Sequence, residues 1–353
     1  MDFGVPHGQG EAFYYYPYYS YFMAAVHKLA GEDLFGPIFA NFVLLFATNV
    51  VAYRLGRRLY GSQAALVAVA ALVGIEQLAF VRHYSVRLLS ENLYFLTVAL
   101  TLDWLVAYVD QGRRLDLMLT GVAAGVSAIT RPAMMLYLPF ALSVVAIASW
   151  KRTATLRSAT TAGALLLAGW SAAVLLTTTR NYIVSGFPVV LICNTPSRSF
   201  VEYNLPPRPD AMDRYLGAHR GNIGSSAAIL FRIMIEEPRA FFTNSAIKVG
   251  FSLGVLELMG QKFHPELVLA SAGYLAAIAL LPAARSLRTW PIHGFVLAHL
   301  VGMVLHMPSN YGYRLILPMY VFFPLFGAAL VESRFRPLRW MSAGAAAPSE
   351  ARR

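Results

Sequence analysis

The sequence predicts an all-α polytopic membrane protein of about nine transmembrane helices, capped by outward-facing interfacial helices and loops. Three observations carry that expectation. The chain is 57% hydrophobic and 13% charged, where soluble domains carry about 25% charged residues. Apolar stretches of bilayer length, roughly 17–25 residues, recur between clusters of charge. Every second connection is short and rich in arginine, the alternation expected when cationic loops stay in the cytoplasm.

Residues 1–33 form an outward aromatic segment. Its amphipathic part, from about Phe13 to Leu29, suits a membrane interface, where tyrosine is favoured. The chain opens on MDFGVPHGQGEAFYYYPYYSYF, with no basic n-region and no apolar h-region. This is no signal peptide. It resembles the middle of an outward loop, and it predicts an upstream helix before residue 1.

Six apolar spans follow within residues 34–179, at 34–53, 62–81, 88–109, 115–130, 133–150 and 158–179. Arg54, Arg57 and Arg58 follow the first of these, Arg113 and Arg114 the third, and Lys151, Arg152 and Arg157 the fifth. Residues 180–266 are the largest extramembrane piece. They include LPPRPD and the amphipathic AAILFRIMIEEPRAFF, and predict loops and interfacial helices over the membrane part. Three more spans lie within residues 267–332, at 267–283, 292–307 and 315–332, with Arg285 and Arg288 after the first of them. Residues 333–353 are a basic tail. The alternation places the present N-terminus outside and the C-terminus in the cytoplasm of an inner (plasma) membrane protein.

The formal net charge is +11, and in a soluble protein it would point to nucleic acid. Here the cytoplasmic loops account for much of it, so no nucleic-acid partner is expected. Cys193 is the single cysteine, which excludes an intrachain disulfide and argues against a Cys-based metal site. The sequence contains no P-loop, HExxH or GxSxG motif. The histidines show no strong metal spacing, and His299 and His306 read as packed core residues. No cofactor is certain, and the sequence leaves room for a divalent metal.

Polar residues placed on the outer side are the candidates for chemistry. His83, Arg87 and Glu91 are spaced i, i+4, i+8 and would share one helix face. They read either as a carboxylate held by a cation at a cavity mouth or as a solvent-side pair worth about 0.3–0.5 kcal/mol. Arg131, in AITRPAMM, precedes a proline that breaks a helix. Exposed backbone beside a planar cation can bind an anion, and a simple interhelical turn with an arginine anchor is the alternative. Arg314, in NYGYRLILP, stands before the last span beside Tyr311 and Tyr313, where it could grip a lipid phosphate or only anchor the span. Arg82, Asn194, Asp2 and Glu11 belong to the same side.

Taken in order, several stretches resemble the GT-C superfamily of membrane glycosyltransferases, above all glycosyltransferase family 39 and the related aminoarabinose and protein mannosyltransferases. They are FYYYPYYSYFMAAVHKLAG (13–31), RLGRRLYGSQAALVAVAAL (54–72), SENLYFLTVAL (90–100), GVAAGVSAITRPAMMLYLP (121–139), TRNYIVSGFPV (179–189), EEPRAFF (236–242) and YGYRLILPMYVFF (311–323). The resemblance implies an inverting transferase with a polyprenyl-phosphate-linked sugar as donor, acting at the outer membrane face on a glycan, lipid or protein acceptor. A carboxylate would orient or deprotonate the acceptor, and cations would stabilise the departing phosphate. Glu91 fits the first role. Arg131, Arg314, Arg87 and Arg82 fit the second, with His83, Tyr311, Tyr313 and Asn194 as substrate contacts.

The family's main catalytic acidic residue lies in the first outward loop, before the Tyr/Pro stretch. This chain begins too late for it, so either it precedes residue 1 or Asp2 or Glu11 stands in. A transporter or flippase of lipid-linked saccharide is the competing expectation, and a truncated inactive homologue is another. A transporter should show repeats and broken helices at mid-bilayer. The sequence shows no repeat, and its candidate polar residues gather on one side.

Overall fold

The computed structural model describes residues 17–77, 90–185, 201, 204–205, 214–215, 223–253, 265–306 and 317–335. Among these residues all regular structure is helical. The helices are α1 (Pro17–Ala30), α2 (Phe35–Tyr60), α3 (Ser62–Glu76), α4 (Glu91–Gln111), α5 (Arg114–Thr130), α6 (Leu138–Thr153), α7 (Leu156–Ser185), α8 (Ile223–Glu236), α9 (Pro238–Ser252), α10 (Pro265–Leu280), α11 (Trp290–His306), α12 (Leu317–Tyr320) and α13 (Phe323–Phe335).

Each of the nine apolar stretches overlaps one of these helices. Four segments have the length and hydropathy to cross a bilayer, namely Phe35–Tyr60, Glu91–Gln111, Ala133–Thr153 and Leu156–Arg180. The last expected span is broken, because α12 and α13 are separate helices with Phe322 donating from its backbone to Met319.

The surface shows why these helices belong in lipid. On α2, Phe35, Phe39, Phe42 and Phe46 lie along one face, and Phe35 and Phe46 are 73% and 70% exposed. Apolar rings spaced by three and four residues form one stripe, and in water so large an apolar patch would be a liability. The opposite face of α2 buries Val51, Leu55 and Leu59 in the main core, with Tyr94, Val98 and Leu102 of α4. Helix α4 is apolar nearly all round and buried nearly all round, as the centre of a bundle requires.

A small-residue contact sets the position of α5. Gly121 and Gly125 form a GxxxG pair packed on α7, Gly121 against Gly169 and Gly125 against Trp170 and Ala173, a spacing that lets helix backbones approach closely. A Cβ on Gly121 would stand 2.2 Å from the Leu166 carbonyl oxygen, and one on Gly169 would stand 2.4 Å from that of Met118. No side chain fits there. This crossing fixes where α5 ends, and therefore where Arg131 stands.

The extramembrane expectation for residues 180–266 falls partly on described residues. Helices α8 and α9, with Val201, Leu205 and Tyr215, build a small second core around Ile229, Ile233 and Phe241 that packs against Val304 and Leu305 of α11. Lys248 clasps it to α11. Its Nζ donates to the Asn204 side-chain oxygen at 2.9 Å and to the Val304 carbonyl at 2.8 Å. Asn204 donates to the Leu305 carbonyl at 3.0 Å. The clasp therefore satisfies carbonyls that the end of α11 leaves without intrahelical partners. Burial pushes the Lys248 ammonium down to about 7, because low dielectric disfavours its charged form.

Candidate functional site

Two of the charged residues flagged separately in the sequence meet here. Glu91 opens α4 and is 1% exposed. Arg131 follows the last residue of α5, with an extended backbone at φ −151° and ψ 129°. Pro132 lacks an N–H and cannot continue α5, and the chain turns through a short 3₁₀ helix, Pro132–Met135. That break turns the Arg131 side chain back toward α4. Its Nη2 donates to Glu91 Oε1, and the pair is closed to solvent on both sides, with side chains 13% and 1% exposed. The guanidinium also lies 5.9 Å from the ring centre of Tyr94, one turn along α4.

A polar ladder runs beside the pair. Asn92 sits next to Glu91 and is also buried. Its amide donates to the Asn41 side-chain oxygen at 3.4 Å. Asn41 in turn donates to the Tyr19 hydroxyl at 3.1 Å and to the Pro37 carbonyl at 3.1 Å. The ladder joins α4 to α2 and α1. Burial pushes the Tyr19 phenol above its usual value, against a smaller opposing effect of the bond from Asn41.

The other candidates are not placed beside this pair, because Asp2, Glu11, Arg82, His83, Arg87, Asn194, Tyr311, Tyr313 and Arg314 lie outside the described residues. Among the described residues no group of three or more His, Cys, Asp or Glu side chains could hold a metal ion.

The expectation that polar residues gather at one end needs correction. Asp103, fully buried and about 18 Å along α4 from Glu91, pairs with Arg54 and Arg58 of α2, the latter at 3.1 Å. Near the end of α4, Arg288 grips Asp110 at 2.7 Å. Between α2 and α3, Asn49 donates to Glu76 at 3.0 Å, with Glu76 only 9% exposed. The sequence reading missed Glu76 and Asp103 because each stands alone in an apolar run, its partner 27 or 49 residues away. A lone carboxylate inside a span was the usable signal, since such a residue needs a partner.

The site can therefore hold a carboxylate beside a planar cation in a place from which water is nearly excluded. It stands where two helix ends meet, so backbone groups and side chains converge there.

Comparison with known proteins agrees with this frame. The family model described as dolichyl-phosphate-mannose-protein mannosyltransferase matches residues 15–176, a segment that includes both Glu91 and Arg131. No curated protein matches the sequence. The archaeal oligosaccharyltransferase AglB from Archaeoglobus fulgidus, solved with an inhibitory peptide and a dolichol-phosphate, superposes with a TM-score of 0.54 at 12% identity. That alignment covers 96% of this chain and 44% of AglB, so the chain spans less than half the length of that relative. ArnT from Cupriavidus metallidurans, bound to undecaprenyl phosphate, aligns at a TM-score of 0.37 and 13% identity, over 94% of this chain and 70% of that one. The family match spans residues 15–176, and the likeness to AglB is one of helical fold.

Proposed function

We propose that this chain is an inverting glycosyltransferase that takes a sugar from a polyprenyl-phosphate donor at the outer membrane face and passes it to a glycan, lipid or protein acceptor. The observation that carries this reading is the buried Glu91–Arg131 pair inside the segment that matches the mannosyltransferase family. The positive-inside alternation supports the outer face for this end of the bundle, and a cytoplasmic C-terminus. The lipid-facing stripe on α2 supports a donor whose tail stays in the bilayer.

The chemistry follows from the two charges. An acceptor hydroxyl or amine attacks the anomeric carbon from the face opposite the phosphate. The new bond to carbon forms as the bond between carbon and phosphate oxygen breaks, and the electron pair leaves on the phosphate. Glu91 takes the proton that the acceptor loses. Arg131 meets the charge gained by the departing phosphate, and its planar fork suits phosphate oxygens. Before the donor arrives, each charge compensates the other, since an unpaired charge there would be costly. Arg314, Arg87 and Arg82 are further cations proposed for the phosphate. His83, Tyr311, Tyr313 and Asn194 are proposed for the sugar or acceptor, and Asp2 or Glu11 for a second carboxylate.

Transport of a lipid-linked saccharide is the second reading, favoured by the hydrogen bond from Asn49 to Glu76 between α2 and α3, with Glu76 9% exposed. One experiment separates the two. Purified protein in lipid is given a radiolabelled polyprenyl-phosphate sugar and an acceptor extract, and free polyprenyl phosphate and labelled product are measured. A transferase liberates the carrier and labels the acceptor, and Glu91→Gln loses both. Movement of intact donor across the bilayer without cleavage would reject the transferase.

A further inference from the structure

Arg131 has four side-chain torsions, so its direction is set by the groups around it. Its grip on Glu91 depends on what lies beneath the guanidinium. That is Tyr94, fully buried, with its ring 5.9 Å from the Arg131 carbon. Tyr94 also meets a ring of α11. His299 of α11, 4% exposed, stacks on it with ring centres 6.5 Å apart and planes 29° apart. Phe295, one turn earlier on α11, backs His299 at 5.5 Å. Tyr137, just past the break that follows Arg131, meets Phe295 edge-on at 6.3 Å. The result is a column of Arg131, Tyr94, His299 and Phe295 across three parts of the fold.

We infer that Tyr94, backed by His299, is a positioning residue that aims Arg131 at the donor phosphate. The face of an aromatic ring attracts a guanidinium, and the attraction is strongest where water is excluded. A ring clamped between neighbours presents that face at a fixed height, so Arg131 is ordered before substrate binds and less of its freedom remains to be lost on binding. The ring carries the effect and not the phenol, because the Tyr94 hydroxyl is buried with no hydrogen-bond partner among the described residues. The inference rests on the transferase reading.

The test measures initial rates of sugar transfer against donor and acceptor concentration for Tyr94→Phe, Tyr94→Leu and His299→Leu, with Arg131→Gln as the reference. Tyr94→Leu is expected to lower kcat/KM for the donor about tenfold, the size a desolvated cation–π contact carries. The acceptor KM should stay unchanged. Tyr94→Phe keeps the ring and should stay within about twofold of wild type, with His299→Leu between the two. Where Tyr94→Leu does not accumulate as folded protein, Tyr94→Met takes its place. A Tyr94→Phe loss equal to that of Tyr94→Leu would overturn the inference, as would wild-type donor kinetics in Tyr94→Leu beside a disabled Arg131→Gln. The transferase reading survives both results. It falls separately if Arg131→Gln and Glu91→Gln both transfer sugar at the wild-type rate.

Discussion

The two ends of α4 both bring arginine to a carboxylate, yet they solve different problems. At the Glu91 end a single described arginine meets the carboxylate, and both side chains are shielded, at 13% and 1% exposure. Toward the other end Asp103 is equally buried, but its partners Arg54 and Arg58 keep 41% and 28% of their side chains exposed. Arg288 does the same for Asp110, and Arg152 closes α4 by donating to the Tyr108 and Val109 carbonyls at 2.5 Å. Gly112 completes that cap in a left-handed conformation at φ 71°, against the Arg152 guanidinium. There the arginines bury their stems and leave their heads partly wet, so the cluster ties helices together and anchors them. The Glu91 end buries the whole pair, which stabilises little compared with an apolar contact of the same volume. Under the proposed function that shielded pair is the one kept for chemistry.

Changes to the charges should separate the ends sharply. Glu91→Gln is expected to lower the transfer rate by about 10²–10⁴, the usual contribution of general base catalysis, while the protein still folds. Single-turnover transfer of labelled sugar checks this. Full activity would remove Glu91 from the mechanism and erase the contrast. Asp103→Asn should show the reverse pattern. It leaves two arginines able to turn toward water, so stability should fall by about 1–3 kcal/mol and transfer should survive. Thermal unfolding in detergent beside the same assay decides it, and a loss of transfer at full stability would make both ends functional.

A third measurement sharpens the contrast through pH, at the clasp between α9 and α11. The folded value of Lys248 is near 7, well below the free amine value of 10.5. Between those values the unfolded chain binds more protons, so stability rises with pH, and the full penalty remains below about pH 7. The neutral amine still has two N–H groups for its two acceptors, Asn204 and Val304. The unfolding temperature should therefore climb from about pH 7 to about pH 10, and Lys248→Met should flatten that slope. A slope that persists in the variant would assign it to other groups.

The smallest effect is expected at the surface of α8. Glu236 bonds Arg232 at 2.7 Å and Arg214 at 2.9 Å, and the arginines hold its carboxyl below the usual range. The group is open to solvent, so Arg232→Ala should leave both the unfolding temperature and transfer close to wild type. A large loss of transfer there would extend the site beyond the Glu91 end.

Much of this was legible in the sequence, but unevenly. The apolar stretches announced α2 to α7 because lipid demands long runs of one character, and Pro132 announced the break before the turn. Glu91 and Arg131 were each visible as charges at span ends. Their pairing was not, since 40 residues separate them and the near neighbour on a helix ruler was Arg87. GVAAG carried the GxxxG spacing that seats α5 on α7, a signal open to reading and overlooked. Lys248 offered no signal, because a lysine near the end of an amphipathic stretch looks like solvent-side charge.

The sequence alone determined which segments are helical and apolar enough to sit in a membrane. Those properties follow from local composition and period, and each helix satisfies its own backbone. Only the tertiary structure decided which charges meet. It set Arg131 over Tyr94 and against Glu91, Asp103 between two arginines, and Lys248 under the end of α11. A buried charge takes its meaning from the partner that compensates it, and that partner is chosen by helix packing across the bundle.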